Sequence, residues 1–99
     1  MKRPVLYAIT VTLGFSAFAP SAFADDPYHY CHWYASSAVH ESNRAREVGS
    51  CRHLVWESPG RWTVNFEQHY QWCRSMYGSG QNAAEQDARI EDLRECGGL

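Results

Sequence analysis

Four cysteines, Cys31, Cys51, Cys73 and Cys96, recur at spacings of 20, 22 and 23 residues behind a hydrophobic leader. Nothing else in the chain limits its fold as much. Thiols exported from the cytoplasm end as disulfides, and two crosslinks over so short a chain dictate which segments must meet. A zinc centre built from the four would call for close C-x2–4-C pairs, and none occurs.

The leader carries the export reading. Lys2 and Arg3 form a positive n-region, Val5 to Ala19 an apolar run, and Ala22-Phe23-Ala24 the small residues that signal peptidase selects. The apolar run falls short of the roughly 20 residues a membrane span requires, so cleavage between Ala24 and Asp25 is expected, leaving no membrane attachment. Residues 1–24 are then a cleaved signal peptide and 25–99 one domain, periplasmic or secreted. That domain has seven arginines, no lysine and eleven acids. An acidic balance excludes a general nucleic-acid binder, whose affinity comes from neutralising phosphates. Phe66 is its only phenylalanine and large aliphatics are few, so its core is expected to be Trp, Tyr and sulfur. A domain this small gains little net stability from a core alone.

Hydrophobic period and caps predict three helices. Asp26-Pro27 opens the first as N-cap and first helical residue, and Gly49 is the expected stop. At 100° per residue from His29, the residues Cys31, Tyr34, Ala35, Ala38, Ala45 and Val48 fall between about 100° and 240°, an inward stripe. His29, His32, Ser36, His40, Asn43 and Glu47 take the opposite face, and Arg44, Arg46, Glu41 and Glu47 read as a solvated surface. The second helix repeats Trp62, Phe66, His69, Tyr70, Cys73, Met76 and Tyr77 at helical spacing. Its start is open between Ser58-Pro59 and an Asn65/Gln68 capping box that leaves Trp62 ahead of the helix; Gly78 is the expected stop. A third helix runs from near Asn82 to Cys96 with a thin stripe of Ala83, Ile90 and Leu93, Gln86 lying between. Its pairs Glu85–Arg89 and Glu91–Arg94 are worth tenths of a kcal/mol, so it depends on the tether at Cys96. A loop of about a dozen residues links the first two helices. Leu54, Val55 and Trp56 are expected to tuck it against the bundle, and a short strand there stays open.

The fold class is therefore all-α: a small three-helix up-down-up bundle stapled by two disulfides. Cys31 and Cys51 lie roughly 30 Å apart if the first helix is continuous, far beyond the separation of about 6 Å that a disulfide tolerates. Up-down-up packing favours Cys31–Cys73 and Cys51–Cys96.

The run Tyr34-x3-Ala38-Val39-x3-Asn43-x5-Gly49-x-Cys51, followed by Arg61-Trp62-x6-His69-Tyr70-x-Trp72-Cys73, resembles a pattern in small exported bacterial proteins of unknown function. With Cys31 and Cys96 it covers nearly the whole exported chain. The shared residues are mostly structural ones, so the resemblance implies a common fold and no catalytic assignment. The segment from Cys51 to Arg61 is longer than that pattern's compact link.

Among residues able to carry chemistry, His69 stands out because it lies in the aromatic stripe. A desolvated imidazole tends to its neutral form, suited to a base or a ligand. No acid follows at a spacing that would orient it, which favours a core histidine bonded to a backbone carbonyl or a Tyr hydroxyl. Small exported helical phospholipases place Asp directly after the catalytic His; here Tyr70 follows. His29 and His32, one turn apart, are weak candidates for Cu(II) or Zn(II), and solvated imidazoles are favoured. His53 has no evident partner. Trp62 sits on the core stripe, whereas Trp33 and Trp72 lie at stripe edges and are expected to cover the flanks of the core. These readings converge on a non-enzymatic exported module that binds a protein or cell-envelope component and takes no cofactor. The alternative is a periplasmic metal-binding protein using His29 and His32.

Overall fold

The computed structural model describes residues 26–99; the predicted signal peptide and its cleavage site at Ala24 and Asp25 lie outside the described residues. These form four α-helices and no strand: α1 Pro27–Glu47, α2 Arg52–Glu57, α3 Phe66–Ser75 and α4 Gln81–Cys96. The all-helical expectation holds, and the count of three is corrected to four. The addition, α2, follows a single 3₁₀ turn over Gly49–Cys51 in the segment read as a loop. Six residues make fewer than two turns, too few to show a period, and no side chain caps this helix. Its half-buried Leu54 and Val55 pack on the core, but Trp56 does not tuck in and stays 78% exposed.

Local signals set most boundaries. Asp26 Oδ1 accepts hydrogen bonds from the Tyr28 and His29 amides, and Pro27 occupies the first helical position. The stop of α1 lies earlier than Gly49: Val48 turns extended while its N–H still bonds to Arg44 O. At α3 the cap is Asn65, whose side chain accepts from Gln68 N at 3.1 Å, and Trp62 lies ahead of the helix. Replacing this cap, Asn65→Ala, should lower stability by about 1 kcal/mol, read as a shifted urea midpoint with an unchanged slope. Gly97 closes α4 with a left-handed backbone, and the Gly98 amide bonds to Leu93 O at 2.7 Å. A Cβ at Gly98 would meet Leu93 Cδ2 at 3.0 Å and Cys51 Sγ at 3.1 Å, so a side chain there requires these neighbours to shift by a few tenths of an ångström.

The sulfurs join Cys31 to Cys73 and Cys51 to Cys96, with Cα separations of 5.5 and 5.3 Å. Each bridge centres its own apolar cluster. Cys31 and Cys73 pack with Tyr34 beneath Tyr30, Tyr70, Trp72 and Tyr77. Cys51 packs with Ala45, Trp62 and Leu93, flanked by Val48, Leu54 and Val55. Between these clusters along α1 come Glu41 and Ser42, both buried. The reading of Glu41 as part of a solvated face is thus corrected. On α4 the expected stripe is also corrected: Ala83 is exposed and Ile90 half-buried, while Asn82 and Arg89 are buried beside Leu93. Asn82 Nδ2 donates to Cys73 O at 3.3 Å, tying the start of α4 to the end of α3. A layer of polar and charged side chains therefore crosses the middle of the core.

Candidate functional site

A cleft of about 560 Å³ opens over that polar layer, between α1, the segment before α3, α3 itself and α4. Its floor is Arg89, with no exposed surface. The burial is tolerable because every nitrogen of the guanidinium has a partner. Nε donates to Glu41 Oε1 at 2.9 Å, Nη1 to the Tyr34 hydroxyl at 3.1 Å and Nη2 to Gln86 Oε1 at 2.7 Å. Gln86 Nε2 in turn donates to Glu41 Oε2, so both carboxylate oxygens are satisfied. The guanidinium also lies 4.9 Å from the Tyr34 ring centroid, within cation–π range. The i,i+4 pair Glu85–Arg89, expected to be worth tenths of a kcal/mol, is a loose one at 3.9 Å; Glu41 is the principal partner of Arg89.

Glu85 is engaged at the rim instead. Arg61 grips it with Nε and Nη2 and reaches Asp92 Oδ2 at 3.2 Å with Nη1. The Glu85 hydrogen bond raises the Arg61 pKa further above its ordinary value. One wall is aromatic: the Tyr34 and Trp72 rings lie 5.8 Å apart at 31°. Burial pushes the Tyr34 phenol up, so it stays protonated and neutral. Trp72 is half-buried, and Trp33, 44% exposed, has its ring 5.8 Å from Tyr30.

His69 also lines the cleft, 5% exposed, with Nε2 at 2.7 Å from Thr63 O. A carbonyl only accepts, so Nε2 carries the proton and Nδ1 the lone pair. Burial first, then the positive charge of Arg89, lowers its pKa below the ordinary 6.5. The ring is thus a neutral clasp holding the irregular segment before α3. A depressed folded-state pKa makes the unfolded chain the better proton acceptor, so stability present above about pH 6.5 falls as pH drops towards the folded pKa. His69→Gln should flatten that part of the stability–pH curve relative to the parent, measured by urea unfolding between pH 7.5 and 4.5.

The other sequence candidates do not join this cleft. His29 Nδ1 pairs with Asp26 Oδ2 at 2.5 Å, and the His32 ring stands 5.1 Å from Phe66. Among the described residues no group of three or more His, Cys, Asp or Glu is placed to hold a metal ion. All four cysteines are consumed in disulfides. The site residues that sequence reasoning missed are Glu41, Arg61, Glu85 and Arg89. One signal was present: at 100° per residue from His29, Glu41 falls at about 120°, inside the inward stripe of α1. Arg61 stood only in the Arg61-Trp62 run and Arg89 only in the i,i+4 pair with Glu85, and neither pattern marks a buried site.

Fold and cleft define a small all-helical protein whose two disulfides brace a polar, aromatic-walled groove. No family model matches the chain, and neither a curated protein nor a solved structure matches it. Among the described residues, no helix is long and apolar enough to cross a membrane.

Proposed function

We propose that the chain is an exported, non-enzymatic binding module, periplasmic or secreted, that seats a protein or cell-envelope component in the α1–α3–α4 cleft. In this reading α1, α3 and α4 run up, down and up, with α2 as an accessory. One observation carries it: the cleft is preformed, with its charged groups already neutralised by the protein and an aromatic wall beside them. Preorganisation lowers the entropy lost on binding, and a mostly fixed concave surface with a few placed polar groups is the ordinary form of a ligand seat. The disulfides support the same reading, because they hold the packed helices from two ends and belong in an oxidising compartment.

The test is a photo-crosslinking amino acid placed at Gln68, on the cleft, and separately at Asn43, exposed on α1, in the protein expressed in its native cells. A discrete adduct from position 68 alone, lost when Trp72→Ala is added, is the expected result. Equal adducts from both positions, or none from position 68, would remove the cleft from consideration.

A further inference from the structure

A second cleft, about 200 Å³ and sharing no lining residue with the first, is formed by Arg46, Arg52, Val55 and Trp56. Its chemistry differs from everything around it. The chain has more acids than bases, and among the described residues Arg44, Arg61, Arg89 and Arg94 pair with carboxylates. Among the described residues, however, neither Arg46 nor Arg52 takes part in an ion pair. Backbone carbonyls hold them instead. Arg46 Nη1 donates to Ser42 O at 3.1 Å and Trp62 O at 2.6 Å, and Arg52 Nε donates to Arg46 O at 2.9 Å. These carbonyls belong to the last turns of α1 and the segment before α3, and the negative end of the α1 dipole favours both cations.

The remaining donors point to a ligand. A guanidinium has five N–H groups, so after these bonds Arg46 keeps Nε and Nη2 and Arg52 keeps both terminal nitrogens. Two cations with free forks line one small concavity, beside an indole that is 78% exposed. Guanidinium forks match the oxygens of phosphate in pairs, and a phosphate monoester near neutral pH carries close to two negative charges, one for each arginine. Trp56 and Val55 offer apolar surface for the group that bears the phosphate. The cleft is smaller than the roughly 300–1,000 Å³ typical of drug-sized ligands, which limits the occupant to one such group.

We propose that the Arg46–Arg52–Trp56 cleft is an anion site that takes a phosphate monoester carried on an aromatic or apolar group. The assignment is independent of the function proposed for the larger cleft. Phenyl phosphate and inorganic phosphate, titrated into the oxidised, ¹⁵N-labelled protein, test it through the Trp56 indole and Arg52 Nε–H resonances. Phenyl phosphate should give a saturable shift and bind more tightly than inorganic phosphate, and Trp56→Ala should abolish that difference. Arg52→Gln should weaken binding at least about threefold, and Arg46→Gln/Arg52→Gln about tenfold. Because Arg46 also holds two carbonyls, its variant can fail to fold; Arg52→Gln and Trp56→Ala alone decide the matter. Sedimentation with phosphatidic acid vesicles but not phosphatidylcholine vesicles, lost in Arg52→Gln, supports the site and makes a lipid headgroup the source. A phenyl phosphate shift without sedimentation supports it and makes the source a soluble ester. No saturable shift together with no vesicle binding, or an affinity unchanged in Arg52→Gln, would overturn the site.

Discussion

Glu41→Ala is expected to cost about 3–5 kcal/mol of folding stability, a large fraction of the 5–15 kcal/mol typical of whole proteins. Its partner explains the size. Arg89 is fully buried, and a guanidinium does not relieve burial by losing its proton. Without Glu41 the nearest carboxylate is Glu85, 3.9 Å away and already gripped by Arg61. The effect should belong to the broken pair rather than to the lost side-chain volume. Replacing both charges at once, in Glu41→Leu/Arg89→Met, should therefore recover most of the loss, because an apolar pair of similar volume escapes the desolvation penalty. Urea is the denaturant to use, since guanidinium chloride would screen the ion pair. A single variant costing under about 1 kcal/mol would show that water reaches Arg89 in the folded protein.

Reduction should do comparable damage. The bridges close segments of 42 and 45 residues, for which the chain-entropy account predicts about 4 kcal/mol each. The two loops overlap between Cys51 and Cys73, so their contributions do not simply add. The oxidised protein should have a mass four hydrogens below that of the free-thiol chain and melt cooperatively. Cys31→Ser/Cys73→Ser or Cys51→Ser/Cys96→Ser should lower Tm by roughly 15–30 °C. Full reduction should leave no cooperative transition by circular dichroism. A reduced protein melting within a few degrees of the oxidised one would mean that packing, not the staples, holds this domain.

What was readable in advance follows a physical division. The Asp26-Pro27 opening, the Asn65 cap as one of two starts left open, and the inward stripes of α1 and α3 depend on atoms within a few residues of each other, so residue type and spacing display them. The helix α2 escaped because it is too short to repeat a period and carries no capping side chain. The face of α4 was misplaced for another reason. Its inward residues include Asn82 and Arg89, and a rule that equates inward with apolar selects Ala83 instead.

The candidate cleft shows the same division more sharply. His69 was conspicuous for its place in an aromatic stripe, but its tautomer follows from Thr63 O, which the fold carries back to it. Glu41 lay at the right angle on its helix and still looked like surface. A carboxylate is buried only when a cation meets it, and the cation that meets this one is 48 residues further along the chain. Helix starts, stripes and the supply of sulfur are properties of neighbouring residues, and the order of amino acids is enough to read them. Which charges may leave water depends on partners that only packing brings together, and in this protein that packing placed Arg89 and Glu41 between two disulfide-centred cores.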